Sequence, residues 1–513
     1  MNWVVAALAF AAALVAAPTR LPLEASAAES CERLASLTLA HATISLAEVV
    51  APGAFKPSAL PAGTPASAAQ RFASLPSFCR VAATLAPTSD SDIKIEVWLP
   101  VSDWNGKLIG VGNGGWAGTI SYPALADSLG RGYATASTDT GHTGDRGTFV
   151  LGHPEKFVDF AWRSEHEMTV AAKAIVAAFY GSAARRSYWN GCSTGGRQGL
   201  MEAQRFPEDY DGIIAGASAN PRTHLNAWQL SLAQALLRDP ASYIPPDKYP
   251  LIHDAVLNAC DALDGVRDRL ITDPTRCRFD PQVLACKDAD SASCLTAPQV
   301  QAVRTVMSPA RTRSGVEIFP GHEPGDELGW GITLRGPEPI ALTTDHYRYV
   351  VFKDPSWDWR TFDLERDVAI ADRVDGGTVN ASPDVRSFVQ RGGKLLMYHG
   401  WSDPLVAPRA SVNYYTSAVK AIGGPAKASS SIRLFMAPGM GHCRGGEGPD
   451  TFDTIGALDD WVEKSRAPER IIASHAANGV VDRTRPLCPF PQVAVYAGTG
   501  STDDAANFVC RAR

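Results

Sequence analysis

Gly191-Cys192-Ser193-Thr194-Gly195 has the G-x-S-x-G spacing of a nucleophile elbow, a strained strand-to-helix turn that lifts a serine hydroxyl clear of the backbone. Such a serine attacks carbonyl carbon. At its ordinary pKa the hydroxyl is a weak nucleophile, so it needs a base, and the base needs an acid to orient it. Enzymes built on this elbow carry the acid and then the base downstream of the serine. Asp403, in KLLMYHGWSDPLV, and His442, in IRLFMAPGMGHC, each follow an apolar run of strand type, where those members belong. His399 also stands at a strand end, but it precedes Asp403 and breaks the order. A purely structural role is the ordinary alternative for any one of the 11 histidines.

Two cysteines add an independent argument. Cys192 immediately precedes the serine and Cys443 immediately follows the histidine. A hydrogen bond between Ser193 and His442 would bring these neighbours within reach of a disulfide. The alternative is two unrelated buried thiols whose positions coincide with the pair by chance.

The oxyanion of an attacked carbonyl needs N–H donors. One expected donor is Thr194, the residue after the nucleophile. The other is expected from the glycine-rich run Val111 to Gly118 (VGNGGWAG), with Gly115 the first choice and Gly114 next to it. The same run could be a plain tight turn. Phosphate binding is disfavoured, because no G-x-x-x-x-G-K-[ST] or dinucleotide fingerprint is present.

A further cluster, Asp261, Asp264 and Asp268, lies between Cys260 and Cys277. Three carboxylates on a Gly-bearing turn offer hard oxygen ligands for Ca²⁺, with backbone carbonyls completing the shell. The spacing is not that of an EF-hand. An Asx-rich turn facing solvent is the plain alternative.

Several elements must position these groups. Ile93 to Leu99 alternates as a half-buried strand, and Lys107 to Val111 and Tyr133 to Ser137 are short apolar runs closed by turn residues. Glu165 to Tyr180 has helical spacing. Arg186 to Asn190 leads into the elbow and Arg197 to Arg205 leaves it as a helix, with Ile213 to Ala215 as the next strand. The pattern resumes with strands at Lys394 to Tyr398 and Ile432 to Met436 and a helix near Thr451 to Lys464. Strands separated by helices predict an α/β fold with a mostly parallel, helix-covered sheet. Between about Asn220 and Asp384 the alternation fades, with four cysteines in Cys260 to Cys294 and tryptophans at 228, 330, 357 and 359. That stretch is too long for a loop and predicts an inserted domain.

Composition sets the outer limits. The 513 residues include 48 basic and 54 acidic side chains, a formal charge of −6, with no long basic run. Nucleic acid and anionic membrane surfaces are therefore not expected partners. Ten cysteines suit an oxidising compartment. Val4 to Ala17 is an unbroken apolar run, shorter than the ~20 residues of a spanning helix, and Ala25-Ser26-Ala27 offers a cleavage site. Residues 1–27 therefore read as a signal peptide, and the mature protein as exported, periplasmic or extracellular, and not membrane-bound after cleavage.

Taken together, GCSTGGRQGL around Ser193, HGWSDPLVAP around Asp403, PGMGHCRGG around His442 and CDALDGVRDRLI from Cys260 resemble the tannase and feruloyl esterase family, which includes mono(2-hydroxyethyl) terephthalate hydrolases. The resemblance runs from about Cys31 to the C-terminus. It implies an α/β-hydrolase core with a large inserted lid domain: 28–219 as the first part of the core, 220–383 as the lid, and 384–513 as the second part. It implies Ser193, Asp403 and His442 as the triad and Cys192–Cys443 as a disulfide beside it. It also implies a structural Ca²⁺ in the lid on Asp261, Asp264, Asp268 and the carbonyls of Val266 and Leu270, with no organic cofactor. Arg269 departs from the pattern, since members usually carry glycine there. The remaining expected pairings are Cys31–Cys79, Cys260–Cys277, Cys286–Cys294 and Cys488–Cys510.

The function so implied is a secreted serine carboxylesterase acting through an acyl-enzyme on small esters of aromatic acids, feruloyl or galloyl, with lid aromatic residues as ring-stacking walls. One alternative is a terephthalate monoester hydrolase with a lid arginine on the free carboxylate. Another, of a different class, is an inactive module that only binds phenolics.

Overall fold

The computed structural model describes residues 29–57 and 66–512, so the signal-peptide segment 1–27 lies outside the described residues. Nine strands form the main sheet: β1 (Ala42–Val50), β2 (Phe78–Leu85), β3 (Ile93–Pro100), β4 (Lys107–Val111), β5 (Ala134–Thr138), β6 (Arg186–Cys192), β7 (Gly212–Gly216), β8 (Lys394–Gly400) and β9 (Ile432–Ala437). Their spatial order is β1-β2-β3-β5-β4-β6-β7-β8-β9. The strands from β5 to β9 pair in parallel, while β1, β2, β3 and β5 pair antiparallel. The parallel strands and the antiparallel β3 are those read from sequence, and β1 and β2 extend the sheet beyond them.

The helices that matter to the site are α1 (Ser164–Tyr180), α2 (Thr194–Arg205), α3 (Arg222–Leu237), α4 (Arg409–Ile422) and α5 (Thr454–Lys464). Successive side chains of a strand point to opposite faces. Leu108, Trp189, Ile213, Leu395 and Leu434 accordingly pack with α1, α2 and α4. Their neighbours Ile109, Tyr188, Ile214, Leu396 and Phe435 pack against Ile455, Leu458 and Trp461 of α5. Burial on both faces explains why these strands read as continuous apolar runs rather than alternating ones.

Between β7 and β8 the chain adds no strand to the main sheet. It builds its own cores instead. α3 is central to them, sending Leu225, Trp228 and Leu232 into one and Ala227, Leu230 and Ala233 into another. Disulfides Cys260–Cys277 and Cys286–Cys294 close loops within this insertion. Outside it, Cys31–Cys79 ties the N-terminal segment to β2, and Cys488–Cys510 joins two C-terminal hairpins. All five expected pairings are present. No helix among the described residues is long and apolar enough to cross a membrane.

Candidate active site

Ser193 stands where β6 ends and α2 begins, with φ 64° and ψ −122°, the strained elbow conformation. Its N–H donates to the Gly216 carbonyl at the end of β7, and its carbonyl accepts the Arg197 N–H, so the turn is held from both sides. Gly191 is required by crowding: a Cβ there would lie 2.3 Å from the Gly195 carbonyl oxygen. Any larger residue would open the elbow.

The loop after β4 is bound to the same elbow. Gly195 N–H donates to Asn113 O, and Asn113 N–H donates to Gln198 Oε1 at 3.0 Å. Gln198 Nε2 in turn donates to Asn113 Oδ1 and to the buried Glu165. Burial raises the Glu165 carboxyl to about 7. Gly115 has φ 55°, and its carbonyl accepts the Thr194 hydroxyl at 2.9 Å. The two residues expected to hold an oxyanion are therefore in direct contact. Thr194 opens α2, so its N–H has no intrahelical carbonyl to meet. Gln198 went unnoticed in the sequence; its place one turn into the helix after the elbow was the available signal.

Asp403 follows β8 and is fully buried. His442 Nδ1 lies 2.6 Å from its Oδ2. Burial works to raise the Asp403 carboxyl, but the charge of His442 and hydrogen bonds from His399 and His442 hold it below its ordinary value. An ionised Asp403 accepts, so the His442 proton sits on Nδ1 and leaves Nε2 as a base lone pair. That Nε2 is buried and has no hydrogen-bond partner among the described residues. Asp403 Oδ1 accepts the N–H groups of Leu405 and Val406, which fixes the carboxylate.

His399, the rival candidate, is on the same carboxylate. Its Nε2 lies 2.9 Å from Asp403 Oδ2 and its Nδ1 lies 2.7 Å from Ser411 Oγ. Both ring nitrogens are thus engaged, and the ring acts as a brace for Asp403.

The link between the elbow and the histidine is covalent. Cys192 and Cys443 form a disulfide with Cα atoms 6.0 Å apart, across 251 residues of sequence.

A cavity of about 320 Å³ is lined by His442, Ser402 and Pro404 and, from the insertion, by Leu328 and Ile332; Ser193 is not part of its lining. Leu328 and Ile332 are about half exposed. The expected aromatic walls are absent from this cavity's lining: Trp228, Trp330 and Trp359 of the insertion are buried, and Trp357 is half-buried against the core that holds Trp359.

The aspartate loop is folded on itself. Asp261 accepts the N–H groups of Asp268 and Arg269, Asp264 accepts Val266 N–H and the Thr272 hydroxyl, and Asp268 accepts Leu270 N–H. Asp268 also pairs with Arg485, whose guanidinium lies over the Phe508 ring, pinning the C-terminal hairpins to this turn. Arg269 adopts φ 66°, the left-handed region in which glycine is cheapest. The glycine-type backbone therefore persists with an arginine on it. Its side chain reaches Asp254 and Glu447. Three carboxylates around one turn are hard oxygen donors of the type a divalent cation takes, and Arg485 acts on both Asp268 and Asp264.

Comparison with known proteins agrees with this architecture. The family model "Tannase and feruloyl esterase" matches residues 79–511. The chain is 40% identical to an uncharacterized esterase of Xanthomonas campestris pv. campestris, the match covering 95% of this chain and 92% of that one. It is 35% identical to a protein named "Probable feruloyl esterase B-2" of Aspergillus terreus, covering 84% and 86%. Among solved structures, feruloyl esterase B from Aspergillus oryzae superimposes with a TM-score of 0.88 at 30% identity, covering 94% of this chain and all of that one. The chain belongs to the tannase and feruloyl esterase family of carboxylic ester hydrolases and has the α/β-hydrolase fold.

Proposed function

We propose that the protein is an exported serine carboxylesterase that cleaves esters of aromatic acids, of feruloyl or galloyl type, through an acyl-enzyme. The observation that supports this reading is the join of the two loops: Cys192–Cys443 ties the residue before Ser193 to the residue after His442, whose Nδ1 lies 2.6 Å from Asp403 Oδ2.

His442 Nε2 accepts the Ser193 proton as Oγ attacks the ester carbonyl. The resulting oxyanion is held by the N–H groups of Thr194 and Gly115. The imidazolium, stabilised by Asp403, then protonates the departing alcohol. Water, deprotonated by the same Nε2, attacks the acyl-serine, and the aromatic acid leaves. The cavity beside His442, walled by Leu328 and Ile332, offers an apolar surface to part of the substrate. We further propose that Asp261, Asp264 and Asp268, with the Val266 and Leu270 carbonyls, hold Ca²⁺ as a structural ion that stiffens this turn and takes no part in the chemistry.

Purified wild type and Ser193→Ala, assayed on methyl ferulate, a gallate ester and a terephthalate monoester, test the reading. Rapid hydrolysis of ferulate or gallate by wild type and none by the variant is expected; wild-type rates in Ser193→Ala would overturn it. The terephthalate monoester is the second reading, because Arg269 of the insertion and Arg444 both line the cavity beside His442. A clear preference for that ester would favour it.

A further inference from the structure

Arg222 opens α3, the first helix of the insertion, and is only 2% exposed. It is an unusual place for a guanidinium. Its Nη1 donates to Thr194 Oγ1 at 3.4 Å, while Nε and Nη2 have no hydrogen-bond partner among the described residues. It forms no ion pair among the described residues. Asp345, the one carboxylate whose charge favours it, is occupied by Arg146 through two hydrogen bonds of 2.8 and 3.0 Å. Buried Arg197 repels it. Burial lowers its pKa to about 9, well below any ordinary arginine.

What does surround it is aromatic. The guanidinium carbon lies 4.0 Å from the ring centroid of Trp116, the residue after Gly115, and 5.1 Å from that of Phe160. Ring faces return part of the desolvation cost of a cation. They do not return what a carboxylate would, and an apolar side chain at this place would be the more stable choice. The charge therefore calls for a reason other than fold stability.

The reason lies in what Arg222 touches. Thr194 Oγ1 accepts from Arg222 and donates to the Gly115 carbonyl, so one hydroxyl links the cation to both peptides expected to hold the oxyanion. We infer that Arg222 is a positioning residue for the oxyanion site: it fixes the Thr194 hydroxyl, which fixes the Gly115 peptide, and it sets a buried positive charge against that hydroxyl. Charge that is fixed before reaction, in a dry environment, favours the tetrahedral intermediate over the uncharged ester. This inference rests on the serine esterase reading above.

Arg222→Met, which keeps the bulk and removes the charge, is the test. We expect kcat to fall about tenfold to a hundredfold, less than or equal to the loss on deleting a direct oxyanion donor. KM should stay within about twofold, because the ground-state ester carries no charge at this atom. The thermal midpoint should be unchanged or higher. Arg222→Lys, which keeps the charge without the planar fork, should recover part of kcat and remains informative should the methionine variant not fold. Thr194→Val removes the linking hydroxyl but keeps the N–H. If the two residues act through one another, the double variant should be little worse than the poorer single one. Wild-type kcat in Arg222→Met, a loss confined to KM, or losses that simply multiply in the double variant would overturn the inference. Ser193→Ala separates the two failures. If it is inactive while Arg222→Met is fully active, only the role of Arg222 falls; if it is active, the esterase mechanism itself falls.

Discussion

Cys192 and Cys443 are bonded to each other, and each is the sequence neighbour of a residue expected to do chemistry. The bond spans the insertion, so the elbow on one part of the core and the histidine loop on the other are joined directly rather than through packing alone. In the chain-entropy model a 251-residue separation corresponds to about 5 kcal/mol of stability. Replacing both cysteines by alanine should lower the thermal midpoint and reduce kcat by up to about a hundredfold, since small displacements of reacting groups are that costly. Kinetics and melting of the double variant check this. Unchanged kcat would mean that packing alone sets the geometry.

His399 should set how far into acid the ionised Asp403 keeps its contribution to stability. The Asp403 carboxyl lies below its ordinary value, so its ionised form persists well into acid, and what it contributes is lost only as pH falls through that depressed value. His399→Leu removes one donor to Asp403 and moves the carboxyl up. The fall of the thermal midpoint in acid should then begin at higher pH, and His399→Gln, which can still donate, should restore most of the wild-type profile. Superimposable profiles for all three proteins would contradict the bracing role.

His253 predicts a pH dependence at the opposite end. It lies between buried Glu327 and Glu447, the latter on the glycine-rich loop that carries His442. Burial works to lower it, but hydrogen bonds and charge from both glutamates raise it to about 9. The protonated ring is the stabilised form. Its contribution is complete below the ordinary value of 6.5 and fades as pH rises through about 9. The gap in thermal midpoint between wild type and His253→Gln should be widest near pH 6 and narrow by pH 10, as read by calorimetry. A gap independent of pH would contradict it.

The strands beneath the site were legible because each is apolar on both faces, as Ile213-Ile214 and Leu395-Leu396 show. β1 was not, because it is only half buried and its residues read as a mixed surface. The C-terminal hairpins escaped for the same reason. Ser193, Asp403 and His442 were legible because each follows such a strand. Arg222 and Gln198 were not: charge and amide read as surface in a sequence, and only the fold reveals them as interior.

The aspartate loop gives a prediction for metal removal. With Ca²⁺ bound to the native state alone, EDTA should lower the thermal midpoint and added CaCl₂ restore it. Asp264→Asn should melt lower and lose the response to both. Identical melting in EDTA and in CaCl₂ would argue that Arg485 and Arg483 answer the charge of this turn without an ion.

The central claim is that Ser193 is the nucleophile, and mapping a covalent adduct tests it most directly. Wild-type protein treated with a fluorophosphonate, digested and read by mass spectrometry should carry one adduct, on Ser193, with activity lost in proportion. Ser193→Ala should take up none. An adduct on another residue, or full labelling of Ser193→Ala, would contradict the account.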